Sequence, residues 1–331
     1  MRIVRTSAAA SRIALASVSA AVLMAGCHVP ATGGSGAAGS ASGSITVAVV
    51  PGIDYAPLAV AVQDGLFRQH GLNVTLKTYK SVDQEIEALS GGHANVAVGD
   101  YSAFFYQEAN GARLRLIADG YDAAPDSIAI LTGPKSGITV PQDLVGQPVA
   151  VPPAQVNQGV PNNIQTLAAE QVLQSDGLSP NSVRWQPMPM QSMIGELLNN
   201  SVKAILVTEP YILEAEAKLG AVEVLDSTIG VTGGLPLSGY FSLDSYVRAQ
   251  PSAVQAFQAA LSQAQSNASM RGPIQNVLPG LTGMSAQDAA MVTLGTYPAV
   301  LSIGQVQRVA QLMHNSGMTN NLVDVRSLVF P

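Results

Sequence analysis

A single cysteine, Cys27, in 331 residues leaves no internal disulfide and no cysteine-built zinc site. Histidine is nearly as scarce. His28, His70, His93 and His314 are isolated, with no H-x-H or H-E-x-x-H spacing, so a histidine metal centre or a catalytic triad finds no support. Charged residues make up only 11% of the chain and the formal net charge is −6. No basic block and no interleaving of basic with aromatic residues occurs, which argues against nucleic acid as a partner. The one G-x-G-x-x-G, Gly34 to Gly39, precedes the first strand instead of following one, so it is no dinucleotide fingerprint. No cofactor is expected. What is abundant is apolar: 47% hydrophobic residues can bury a substantial core, and the length suits two domains.

The N-terminus accounts for the lone cysteine. Arg2, Arg5 and Arg12 make a basic start, and Ile13–Met24 is an apolar run of signal-peptide length, short for a membrane span. Ala25 and Gly26 then precede Cys27. This pattern resembles the bacterial lipoprotein box, in which the cysteine is lipidated and becomes the mature N-terminus; Met24 stands where leucine is commoner. The alternative is an ordinary signal peptide with a coincidental cysteine. ATGGSGAAGSASGS, Ala31–Ser44, follows, and a chain of this composition is a flexible tether spanning roughly 20 Å. Residues 1–26 are thus expected to be a signal peptide and 27–44 an anchor and tether. The exported chain would be lipid-anchored to the outer face of the cytoplasmic membrane.

From Ile45 short β-branched runs alternate with helical patterns. ITVAVV, NVTLKTY, NVAVG and LRLIA are separated by helices near Pro57, Gln84–Leu89 and Ser102–Glu108. This order predicts an α/β domain with a mainly parallel sheet. A second unit starts near SIAILT and continues through PVAVP, VRWQPM, AILVT and VEVL. Beyond Gly239 the pattern is mostly helical, with too few strands for a third sheet. Those helices are expected to pack back on the first unit, with SIAILT (Ser127–Thr132) and GYFSL (Gly239–Leu243) as the two crossover hinge strands. The division predicted is 45–130 plus 239–331 for lobe 1 and 131–238 for lobe 2.

Four segments in this order carry a resemblance: GIDYAPLAVAVQDGLFRQHGLNVTL, EIEALSGGHANVAVGDYSAFF, GITVPQDLVGQPVAVPP and LLNNSVKAILVTEPY. Together they resemble solute-binding proteins of bacterial ABC importers, in the branch that includes binders of aliphatic sulfonates, taurine, nitrate and thiamine-precursor pyrimidines. Asn95 and Lys203 depart from the acidic residues commoner at those strand entries. The resemblance implies a type II periplasmic-binding-protein-like fold: two α/β lobes closing over a small solute. It also implies delivery to a membrane permease and its ATPase, and a monomer.

In open α/β sheets ligands bind beyond the carboxyl ends of strands, and clefts between domains are preferred pockets. Candidate contacts follow: Asp54 and Tyr55 after ITVAVV; Asp100, Tyr101 and Ser102 after NVAVG; Tyr121 and Asp122 after LRLIA. From the second unit come Gln155, Asn157 and Gln158, then Gln191 and Ser192, then Glu209 and Tyr211. Several have a second reading. Asp54 and Asp100 suit helix caps as well as ligand contacts. Tyr55 and Tyr101 suit either the cleft or half-buried packing, and Glu209 suits a hinge as well as a solute. Pro161 reads as a first-turn proline whose helix start could hold an anion. Trp185 is expected in the core and His93 in a solvated turn.

The expected cleft loops hold Asp54, Asp100, Asp122, Asp126 and Glu209, with Lys135 the nearest cation. That balance favours a neutral or cationic ligand over a strong anion. Two rival functions remain open at this point: an enzyme on the same fold, similar to chorismate dehydratase, and a lipid-anchored sensor without a transporter.

Overall fold

The computed structural model describes residues 43–154, 156–157, 160–161 and 163–331. The expected signal peptide, Cys27 and most of the tether lie outside the described residues, as do Gln155 and Gln158. Gly43 and Ser44, assigned above to the tether, already belong to the first strand, where Gly43 pairs with Leu72.

In chain order, β1 (Gly43–Val49) leads through α1 (Ala56–Gln63) and α2 (Leu66–Gln69) to β2 (Leu72–Thr78). Then come α3 (Val82–Ser90), β3 (Val96–Asp100), α4 (Tyr101–Ala109) and β4 (Leu114–Asp122). The chain next enters a second sheet with β5 (Ile128–Thr132) and β6 (Pro148–Val151). A two-residue ladder, β7 (Val156–Asn157) with β8 (Val160–Pro161), precedes α5 (Ile164–Ser175). β9 (Arg184–Pro187), α6 (Met190–Leu198), β10 (Ala204–Thr208), α7 (Tyr211–Leu219) and β11 (Val222–Asp226) complete this part. β12 (Pro236–Leu243) returns to the first sheet, followed by α8 (Asp244–Ala249), α9 (Pro251–Asn267), α10 (Arg271–Thr282), α11 (Ala286–Met291), α12 (Ile303–Asn315) and α13 (Val325–Leu328).

The strand orders are β2-β1-β3-β12-β4 and β11-β5-β10-β6-β9. In each sheet four strands run one way and one runs against them: β12 in the first, β5 in the second. The reversed strand is in each case the one that arrives from the other sheet. The expected α/β, two-lobed, mainly parallel architecture is therefore the one observed, with the C-terminal helices on the first sheet through contacts such as α1 with α9 and α10. The crossings themselves lie at 123–127 and 227–235. These precede the divisions at 130/131 and 238/239, because SIAILT and GYFSL pair over most of their length inside one sheet each.

Local chemistry explains the elements. The apolar runs of β1, β3, β5 and β10 are buried on both faces, as parallel-type strands covered by helices require. Helix α12 buries Val306, Val309, Ala310 and Met313, an i, i+3, i+4, i+7 face. Caps mark several starts: the Ser81 hydroxyl accepts from Gln84 N at 3.3 Å, and Asn163 Oδ1 from Thr166 N at 2.7 Å. Below β12, Phe104 stacks on Phe241 at 4.3 Å between ring centres, and Tyr101 meets Phe241 edge-on at 5.7 Å. Gly239 is needed there, because a Cβ would lie 2.8 Å from the Tyr101 ring. Pro161 takes part in the β7–β8 ladder instead of opening a helix; α5 starts at Ile164 behind its Asn163 cap. Among the described residues no helix is long and apolar enough to cross a membrane.

Candidate functional site

The carboxyl ends of β1, β3 and β4 share one edge of the first sheet, since β1 and β3 are parallel and β3 and β4 both oppose β12. This edge gathers the acidic candidates. Asp54 follows β1 but does not cap α1, whose N-cap position is Tyr55 and which has no side-chain cap. The Asp54 carboxylate instead takes backbone N–H groups of its own turn, at Asp54 and Tyr55. The Ser238 hydroxyl is beside it but makes no hydrogen bond of normal geometry. Burial pushes the Asp54 pKa up to about 6, and the negative charge of Asp100 adds to the rise.

Asp100 does cap a helix. Its Oδ1 accepts from the Ser102 N–H and the Ser102 hydroxyl, both at 2.7 Å, at the start of α4. Its Oδ2 reaches the other lobe and accepts from Ile164 N, the first residue of α5, at 3.3 Å. Burial raises its pKa and these hydrogen bonds oppose the rise.

The tyrosines divide. Tyr101 has no exposed surface and donates its hydroxyl to Asp119 Oδ1 at 2.7 Å inside the first lobe, so it packs instead of facing a cleft. Tyr55 is buried with Leu58, Val98 and Tyr240 on the opposite face of that sheet. Tyr121 accepts from Gly295 N at 2.6 Å and lies 5.0 Å from the ring of Tyr297, whose hydroxyl donates to Ile53 O at 2.8 Å. Asp122, by contrast, has a buried Oδ1 without a partner. Burial, then the charge of Asp119, raises its pKa to about 7 against the opposing pull of Arg308.

The second lobe offers mostly backbone and neutral groups. Gln191 and Ser192 are exposed at the start of α6, and Tyr211, half-buried at the start of α7, hydrogen-bonds Gln191. Asn157 is placed by its backbone in β7. Glu209 is the exception, a buried carboxylate that reaches back to the first lobe. Its Oε1 accepts from Thr293 N at 3.0 Å and its Oε2 from Leu213 N at 3.2 Å.

The structure therefore brings Asp54, Asp100 and Ser102 together, with Tyr121 close enough to feel the charges of both Asp54 and Glu209. It sends Tyr55 and Tyr101 into the core. Strand-end reasoning missed Glu85, which has no exposed surface: its Oε1 accepts from Val98 N at 3.1 Å, while its Oε2 has no partner. Burial, then the charge of Asp54, raises its pKa well above the usual carboxylate range. The signal was present, because Glu85 shares one helix face with Ala88 and Leu89. Arg271 and Arg308 were missed because they come from C-terminal helices. Arg271 donates to Val292 O at 2.8 Å, and Arg308 to the carbonyls of Gly233 and Gly234 at 3.0 and 2.9 Å.

Two sheets, each completed by a strand from the other side, with the carboxyl ends of one meeting a helix start of the other, define the periplasmic-binding-protein-like fold. Solved structures agree. The alkanesulfonate-binding protein SsuA from Xanthomonas axonopodis pv. citri, bound to MOPS, superposes with a TM-score of 0.70 at 19% identity, covering 87% of this chain and 98% of that one. The periplasmic nitrate-binding protein NrtA from Synechocystis PCC 6803 gives 0.60 at 16%, covering 74% and 68%. The desulfurization enzyme DSZB gives 0.66 at 14%, covering 87% and 96%, so the fold serves binding proteins and an enzyme alike. No curated protein matches the sequence. Residues 53–271 match the family described as NMT1/THI5 like, and the chain belongs to that family.

Proposed function

We propose that the chain is the extracytoplasmic solute-binding component of an ABC importer, which captures a small organic solute between two lobes and hands it to a permease driven by its ATPase. The supporting observation is the direct contact of lobe edges, Asp100 of one with the start of α5 of the other. Lobes of about 45–130 plus 239–331 and 131–238 would move on the two crossings. A ligand shifts such an equilibrium by its differential affinity for the closed form. In this reading Cys27 carries lipid, residues 1–26 are removed, and the monomer works outside the cytoplasmic membrane. The solute contacts are drawn from Asp54, Asp100, Ser102, Tyr121, Asp122, Gln191, Ser192 and Tyr211, with Gln155, Asn157 and Gln158 on the second lobe's loop. Small-angle scattering across a library of small solutes is expected to show compaction with one class. A chain whose scattering is unchanged by every solute, and which does not co-purify with a permease, would contradict the proposal.

The likeness to DSZB supports a second reading, an enzyme on this fold. Glu85 supplies one element it would need, a buried acid with an unpartnered oxygen. Chemical turnover of a bound solute, followed by mass spectrometry, separates the two.

A further inference from the structure

The α5 helix starts at the junction of the lobes and is twelve residues long, so its first-turn amides form a natural seat for a negative group. That seat is occupied from within. Asn163 takes Thr166 N at 2.7 Å, and Asp100, arriving from the other lobe, takes Ile164 N at 3.3 Å. The same carboxylate closes the start of α4 through Ser102, so one anion serves two helix starts in two lobes.

The surroundings repeat the message. Asp54 lies within electrostatic reach of Asp100, and Glu85 within reach of Asp54. Glu85 Oε2 and the Ser238 hydroxyl are buried without partners in this wall. Two cations come near: Arg271 donates to Val292 O, and Arg308 donates through one terminal nitrogen to Gly233 O and Gly234 O while its buried Nε has no partner. An incoming sulfonate or nitrate would meet carboxylates at this wall and find the Ile164 amide of α5 already taken.

We infer that Asp100 is a specificity-determining internal anion: it fills the α5 terminus and restricts the cleft to neutral or cationic solutes. The inference rests on the solute-binding reading for its purpose, but its test does not need the cognate solute. Asp100→Ser keeps an acceptor able to cap α4 and removes the charge. Asp100→Asn keeps the shape and serves if the serine variant folds poorly.

Titration calorimetry at pH 7.5 with ethanesulfonate, nitrate and inorganic sulfate provides the readout. The wild-type chain is expected to show no saturable heat up to about 10 mM, and the serine variant to bind ethanesulfonate or sulfate at least about tenfold more tightly. Wild-type binding of any of the three anions in the micromolar range overturns the inference. So does a folded variant, by circular dichroism and melting, that gains no anion affinity. Closure of the wild type on an alkanesulfonate would sink this inference while leaving solute capture standing. A chain that closes on no solute, yet gains sulfate binding on losing Asp100, would do the reverse.

Discussion

The wall built on β1, β3 and β4 carries Asp54, Asp100 and Asp122, with Asp119 and Glu85 behind them. The wall built on β6, β9 and β10 offers the first-turn amides of α5 and the neutral Gln191, Ser192 and Tyr211. Two carboxyl groups of the second lobe break the pattern: buried Glu170 on α5, and Glu209, whose carboxylate is spent on Leu213 N and, across the junction, on Thr293 N. At the junction the first lobe thus supplies most of the buried carboxyl groups, and the second supplies helix-start amides and neutral side chains. Bringing carboxylates out of water is costly unless hydrogen bonds replace the lost hydration. The Ile164 amide supplies Asp100 with one such bond, while burial leaves Asp54, Glu85 and Asp122 with raised affinity for protons.

The largest expected effect on this contrast is that of pH. Burial pushes Asp54 and Asp119 up to about 6, and Asp122, Glu170 and Glu223 up to about 7, above the ordinary carboxylate range near 4. Between these values the folded chain holds protons that the unfolded chain has released. Stability therefore falls as pH rises from about 4 to about 7. The shift at the buried Asp119 alone corresponds to about 3 kcal/mol as an upper figure. Melting temperatures are expected to be higher at pH 5 than at pH 8, and Asp119→Asn should flatten the profile. Partly buried Asp143 and Asp244, whose pKa values are lowered by hydrogen bonds, act in the opposite direction at lower pH. A stability maximum at pH 8 would contradict proton uptake by these buried carboxyl groups in the folded chain.

Next is Glu209→Ala, which leaves the Thr293 and Leu213 amides without their acceptor; about 2–3 kcal/mol of stability should be lost in urea titration. Glu209→Gln should lose less, because one oxygen remains. Tyr101→Phe removes the hydroxyl that donates to Asp119, with an expected cost of about 1–2 kcal/mol. Solute binding should be unchanged, since the ring is core; a large loss of affinity without loss of stability would return Tyr101 to the cleft. Smallest is Arg248→Ala, on an exposed ion pair with Asp244 far from the junction, expected to change stability by less than about 0.5 kcal/mol.

The architecture was largely legible because it is written in periodicity. Apolar runs such as ITVAVV and AILVT mark buried strands, and the alternation with helices fixes the class. Helix α10 was not legible: it contains Gly272, Pro273, Pro279 and Gly280, residues that read as a break, and packing on α1 and α11 overrides them. Side-chain direction at strand ends was the weaker inference. Asp100 and Tyr101 are neighbours, yet one reaches across to α5 and the other turns under Gly239, and only the packed sheet decides which. Arg308 lies 186 residues from Asp122 (308 − 122) and Thr293 84 residues from Glu209, beyond any local pattern.

The reversed strand of the first sheet has a consequence for biosynthesis. β12 lies between β3 and β4, so β4 has no neighbour in its own sheet until the chain has been made beyond Pro236. The second sheet is complete at Asp226, since all five of its strands fall between Ile128 and that residue. On a ribosome adding about 5–20 residues per second, the second lobe can form while the first still waits for its missing strand. The half of the molecule that begins first is the half that finishes last.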